Sequence, residues 1–132
     1  MKIQLLKPFA ILFALTTPIF AFSQACQPDG QYSGLTGLHP DVNVNLTQAT
    51  AGQSYSQTMT IVVPQDTTVN FPGVGVVNLT MNNRRLDAIQ GLPQGFSYAC
   101  NPSNCSFPGN SLGCIIITGN PTIGQAGTYP LN

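Results

Sequence analysis

Cysteine spacing is the feature that most restricts how this 132-residue chain can fold. Three of the four cysteines, Cys100, Cys105 and Cys114, lie close together in the last third, and Cys26 stands alone near the start. Four cysteines in an exported chain predict two disulfide bonds. The fold must therefore bring the N-terminal part of the mature chain close to its last third.

Spacing alone leaves three disulfide pairings open. If the segments that end at Cys100 and begin at Cys114 form a hairpin, a bond between them would close its mouth and contribute about 3 kcal/mol. Cys105 would then be free to bond Cys26. We favour Cys100–Cys114 with Cys26–Cys105. The alternatives are Cys26–Cys100 with Cys105–Cys114, and Cys26–Cys114 with Cys100–Cys105.

The N-terminus predicts export. Lys2 and Lys7 give the first seven residues a positive charge, and the apolar run Pro8–Phe22 follows them. Ser23 and Ala25 are the small residues that a signal peptidase requires before a cut at Cys26. We predict a signal peptide over residues 1–25 and a mature domain over 26–132. The apolar run is shorter than the ~20 residues that span a bilayer, so no membrane span is expected after cleavage. A lipid on Cys26 is the open alternative, which Ser23 disfavours.

The mature chain carries very little charge. Without the signal peptide, Arg84 and Arg85 stand against four aspartates, a formal charge of −2, and there is no glutamate. Nucleic-acid binding needs many lysines and arginines to neutralise phosphates. We therefore expect no nucleic-acid partner.

Short alternating or β-branched segments separated by turn residues predict an all-β chain. Five to seven strands are expected from these segments: residues 41–51, 54–64, 74–82, 84–90, 96–100, 114–118 and 128–131. Their number and spacing predict an antiparallel β-sandwich. A loop is predicted between the fifth and the sixth of these segments. It covers Asn101–Gly113.

That loop is the candidate contact surface. Disulfides at its ends would hold it in one conformation, which lowers the entropic cost of binding. Its candidate contact residues are Asn101, Phe107 and Asn110. Phe107 has two interpretations, packing over the end of the sandwich or meeting a ligand, and packing is favoured.

Catalytic and metal-binding patterns are weak. Ser33, His39 and Asp41 supply the residue types of a triad, but no nucleophile elbow surrounds the serine. The cysteine spacing does not match a zinc site. A calcium ion held by loop aspartates is the one ion left open, and no cofactor is predicted. We expect a protein that is not an enzyme.

Several phrases resemble the Ig-like repeats of bacterial surface proteins. These are AGQSYSQT at 51–58, GLPQGF at 91–96, and TGNPT at 118–122 followed by AGTY at 126–129. With its cysteine loop, the chain is similar to the N-terminal region of secreted Bacteroidetes proteins that often carry a type IX secretion sorting domain. The resemblance implies an Ig-like sandwich that is secreted or displayed on the cell surface. It also implies a further strand beyond Asn132, so that 26–132 would be a truncated sandwich.

These observations predict a structural spacer or an adhesion and interaction domain. Its partners would be neighbouring domains, or another protein chain that pairs with an exposed sheet edge. A carbohydrate-binding module is the first alternative, although the chain has no tryptophan to stack on a sugar. Part of a secreted hydrolase is the second alternative.

Overall fold

The computed structural model describes residues 25–132, and these residues form short strands with two single 3₁₀ turns. The predicted signal peptide lies outside the described residues except for Ala25. The strands are β1 (Gly37–His39), β2 (Tyr55–Val63), β3 (Asp66–Phe71), β4 (Gly75–Thr80), β5 (Asn83–Arg85), β6 (Phe96–Asn101), β7 (Ser106–Pro108) and β8 (Ser111–Gly119). The 3₁₀ turns are Gly30–Tyr32 and Ile123–Gln125.

One antiparallel sheet forms the body of the domain. Its strand order is β1-β2-β8-β6. The central strands β2 and β8 pair along all nine residues, from Tyr55 opposite Gly119 to Val63 opposite Ser111. Both are rich in Thr, Val and Ile, whose branched side chains pack well on a pleated surface.

The alternation in β2 places Met59, Ile61 and Val63 on one face of the sheet, whereas Val62 is buried on the other. The buried cluster on the first face consists of Met59, Ile61, Val63, Cys100, Phe107, Ile115 and Ile117. Half-buried side chains from the later segments cover it, among them Met81, Leu86, Ile89 and Leu131. The short β5–β7 ladder brings Phe107 into this second layer. The prediction of an all-β antiparallel sandwich is confirmed.

The opposite face is partly covered by the N-terminal segment. Thr60 is buried there, and its Oγ1 accepts a hydrogen bond of 2.8 Å from the backbone N–H of Asp29. The Asn101 side chain donates to the carbonyl of Cys26 at 3.1 Å. No strand was predicted in this segment, but its residues Gly37–His39 form β1 beside β2.

The β3–β4 hairpin stands apart from the core. Its two strands pair from Asp66 opposite Thr80 to Phe71 opposite Gly75. Most of its side chains are exposed, including those of Val76 and Leu79. Strand β3 was missed in the sequence because its residues are mostly polar.

Two predicted strands are absent, and one is much shorter than expected. Residues 41–51 contain no strand, and a turn begins at Asp41, whose carboxylate accepts the backbone N–H of Asn43 at 2.8 Å. Residues 84–90 are a strand only as far as Arg85. Residues 128–131 are not a strand, but Gln90 and Asn132 exchange two backbone hydrogen bonds of 2.8 and 3.1 Å.

Gly91 permits this contact with the C-terminal segment. Its φ of +89° suits glycine, and an added Cβ would overlap the carbonyl oxygen of Pro130. Only a residue without a side chain therefore allows the two backbones to approach so closely.

Candidate functional site

The disulfides are Cys26–Cys114 and Cys100–Cys105, with Cα atoms 6.0 and 5.3 Å apart. The favoured pairing, Cys100–Cys114 with Cys26–Cys105, is therefore wrong. The observed pairing is one of the two alternatives that spacing left open. Two disulfides indicate an oxidising environment such as the outside of the cell.

Sheet register explains the error. Strands β6 and β8 are neighbours, as expected, but Cys100 lies opposite Ile115 and Asn101 lies opposite Cys114. Residues directly opposite each other share a face, and successive residues alternate. Cys100 therefore points into the core, and Cys114 points to the face that the N-terminal segment covers.

Phe107 is a core residue. Its side chain is 0% exposed and packs among Ile61, Val63 and Ile115. The interpretation of Phe107 as a ligand contact is therefore wrong, and the packing interpretation is confirmed. The predicted loop itself holds strand β7 and the first residues of β8.

The other two candidate contact residues also have structural roles. Asn101 holds the N-terminal segment through its bond to Cys26. Asn110 sits at the turn between β7 and β8 with a φ of +56°, a conformation that asparagine tolerates. Of the three candidate contact residues, Phe107 is buried, Asn101 is engaged with the N-terminal segment and Asn110 is exposed.

His39 and Asp41, two of the three triad residue types, make their hydrogen bonds with backbone groups. His39 Nε2 lies 2.8 Å from the Leu35 carbonyl oxygen, and its ring stacks on Tyr32 at 4.5 Å between centroids. The Asp41 carboxylate accepts two backbone N–H groups of its own turn. Among residues 25–132, no three His, Cys, Asp or Glu side chains lie together as metal ligands would.

An open cleft lies beside β1 and β2. It has two adjoining parts of about 450 and 560 Å³, which share Tyr32, Pro40 and Val44. The first part is also lined by Gln27, Asp29, Asn45, Thr47, Gln57, Thr58 and Thr60. Its volume lies in the range of small-molecule sites, roughly 300–1,000 Å³.

Sequence reasoning missed this cleft. Tyr32 lies in a turn-rich lead without periodicity, and Gln57 belongs to a strand over twenty residues away. They meet only because the Cys26–Cys114 bond and the Asp29–Thr60 hydrogen bond fix the lead across the sheet. The only sign of the cleft in the sequence was an aromatic residue, Tyr32, among turn residues.

The outer edge of β6 is a second candidate site. Within the described residues, the one backbone–backbone hydrogen bond that β6 makes outside its ladder with β8 joins the Phe96 N–H to the Pro93 carbonyl at 3.1 Å. In an antiparallel edge strand, alternate residues direct their N–H and C=O groups outward. These groups are placed to pair with another strand.

No family model, curated protein or solved structure matches this chain. In the part of the chain that the structure describes, no helix is long and apolar enough to cross a membrane.

Proposed function

We propose that this chain is an exported, non-enzymatic, Ig-like module of a secreted or cell-surface protein, and that it acts as a spacer or interaction domain. The partner is a neighbouring domain or another protein chain, and it pairs with the outer edge of β6. A signal peptide over residues 1–25 directs export.

The open edge of β6 carries this proposal. Strand β6 spans six residues, Phe96–Asn101, and contains no proline and no charged residue. Proteins that avoid edge pairing protect such strands with prolines, lysines or bulges. An unprotected edge can add a strand from a partner through main-chain hydrogen bonds.

The rigid body supports a spacer role. The two disulfides fix the N-terminal segment and the start of the β7 region, and the central strands pair along their full length. Such a body holds its shape in an oxidising environment without a large core.

Export and surface location can be tested in cells of the source organism. Antibodies against residues 26–132 would be applied to intact cells and to the culture medium. We expect the protein outside the cytoplasm, with a mature N-terminus at Cys26. Protein found only in the cytoplasm with its first 25 residues intact would overturn the export part.

Edge pairing can be tested by placing a photoreactive amino acid on β6. Ala99 is exposed at this edge, and Gln53 is an exposed position at a turn elsewhere. We expect Ala99 to crosslink to one defined protein, and we expect the product to be lost with Tyr98→Pro but kept with Tyr98→Ala. The Phe96 N–H points away from β8, so the Tyr98 N–H does too, and a proline at position 98 removes a donor from the outer edge. Equal crosslinking from Ala99 and Gln53, or none from Ala99, would contradict partner pairing at the outer edge of β6.

A carbohydrate-binding module is the second candidate. Phe107 cannot serve as its aromatic platform because it is buried. The cleft beside β1 and β2, called the Tyr32 cleft below, holds a partly exposed Tyr32 ring, stacked on one side by His39, among amides and hydroxyls. It favours this candidate on different residues.

A further inference from the structure

We propose that the Tyr32 cleft binds a neutral oligosaccharide, with one sugar unit against Tyr32, Pro40 and Val44. This site lies at the β1 edge of the sheet, whereas the edge proposed for protein pairing is β6. The two proposals therefore stand or fall separately.

The wall formed by the N-terminal segment is fixed before any ligand arrives. Cys26 is bonded to Cys114, and the backbone of Asp29 is tied to Thr60. The Asp29 carboxylate then accepts the backbone N–H of Gln31 at 3.0 Å, which caps the 3₁₀ turn that carries Tyr32. The ring is held further by its stack on His39.

The opposite wall is also tied to the sheet. Thr47 donates its backbone N–H and its hydroxyl to Gln57 Oε1, at 3.3 and 2.6 Å. The Tyr55 hydroxyl donates to the Thr47 carbonyl at 3.0 Å. Since both walls are anchored to β2, binding would require little ordering of the chain, which favours affinity.

The lining fits a ligand with both apolar and hydroxyl surfaces. Tyr32, Pro40 and Val44 offer an aromatic ring and aliphatic carbons to the C–H face of a sugar ring. The amides of Gln27 and Asn45 are exposed in the cleft, and an amide can both donate and accept hydrogen bonds. Sugar hydroxyls need such two-way partners.

Charge argues against anionic ligands. No lysine or arginine lines either part of the cleft, whereas Asp29 and Asp41 do. A phosphate, sulfate or acidic sugar would meet carboxylates without a cationic partner. An uncharged, hydroxyl-rich ligand faces no such repulsion.

The test uses the mature chain, residues 26–132, with both disulfides intact. Cellohexaose, xylohexaose, mannohexaose and chitohexaose would each be titrated while backbone amide shifts are followed by NMR. We expect at least one to shift amides around Tyr32 and Gln57, and Tyr32→Ala to weaken that binding about tenfold, the scale of one lost ring contact. Tyr129→Ala removes an exposed ring outside the cleft and is expected to leave affinity unchanged.

Four outcomes would overturn the proposal. They are no shift with any of the four sugars, shifts confined to residues outside the cleft, equal loss of affinity from Tyr32→Ala and Tyr129→Ala, or binding of an uncharged tetrapeptide in the cleft without any sugar. If Tyr32→Ala does not fold, Gln27→Ala decides, because this exposed amide is dispensable for the fold. Weaker sugar binding by Gln27→Ala supports the site, and unchanged binding refutes it.

Discussion

The ring of Phe107 occupies the space above Gly113 in the sheet, and a β-carbon at position 113 would overlap the ring carbon Cδ1. Gly113 lies on β8 directly opposite Ile61 of β2, on the core-facing side. The missing side chain leaves a hollow in the centre of that face, and the aromatic ring fills it. The pair thus joins the second layer to the sheet.

Gly113→Ala should therefore destabilise the domain. The added methyl forces the ring or the backbone to shift, and such overpacking costs about 1–3 kcal/mol. Urea unfolding measures the change. Gly124→Ala is the matched control, since an added Cβ there meets nothing within 4 Å. Equal midpoints for the two variants would contradict the close packing.

Phe107→Ala should cost about 3–5 kcal/mol, because it removes a fully buried aromatic ring. In that background, Gly113→Ala should lose most of its own cost, since the ring that it would meet is gone. A double-mutant cycle by urea unfolding measures this coupling. Additive costs would show that the two positions do not interact.

Chymotryptic mapping of the denatured, unreduced protein should distinguish the observed pairing from the other two. Cleavage after Tyr98 and Leu112 puts Cys100 and Cys105 on one fragment and Cys114 on the next. We expect the first fragment to be linked to no other, and the Cys114 fragment to be linked to the one that holds Cys26. Mass spectrometry reads the result. Both other pairings would link the Cys100–Cys105 fragment to each of the other two.

The two disulfides should contribute unequally to stability. Cys26–Cys114 closes a separation of 88 residues, and Cys100–Cys105 closes a separation of 5. In the chain-entropy model these correspond to about 5 and about 2 kcal/mol. Urea unfolding of the two double-alanine variants should show the larger loss for Cys26/Cys114. A larger loss for Cys100/Cys105 would count against loop closure as the main effect.

The β3–β4 hairpin should open more readily than the central strands. A two-stranded hairpin with exposed side chains is marginally stable by itself, and most side chains of Asp66–Phe71 are exposed. Its amides should exchange with deuterium at least about a hundredfold faster than those of β2 and β8. NMR or mass spectrometry measures the rates, and uniform protection would contradict local opening.

The central strands were predictable because their side chains report burial directly. In Tyr55–Val63 the alternation places Met59, Ile61 and Val63 on the core face, and β8 shows a run of isoleucines. Strand β3 was not predictable, because neither face of that hairpin is buried deeply enough to select apolar residues. Residues 41–51 were predicted as a strand, but a local polar contact favours a turn there instead. The Asp41 carboxylate accepts the backbone N–H of Asn43 and so stabilises that turn.

The candidate site depends on strand register and disulfide pairing, which the sequence does not specify. Cysteine pairing required knowing which face each cysteine occupies, and a shift of one residue in register reverses that face. Phe107 was read as part of a loop because prolines, glycines and asparagines surround it. The Tyr32 cleft required the disulfide across the sheet, so it could not be found before the pairing was known.

The bond between Cys26 and Cys114 also decides how the domain carries mechanical load. When the chain is pulled from points on either side of these two cysteines, the force passes through the sulfur atoms and bypasses the residues between them. The 88-residue separation corresponds to about 300 Å of extended chain that stays out of reach while the bond is intact. The part of the β2–β8 ladder that joins Thr60–Val63 to Ser111–Cys114 is then shielded from tension. Residues Ile115–Gly119 lie beyond Cys114 and carry the load, and only a reductant would make the enclosed length available.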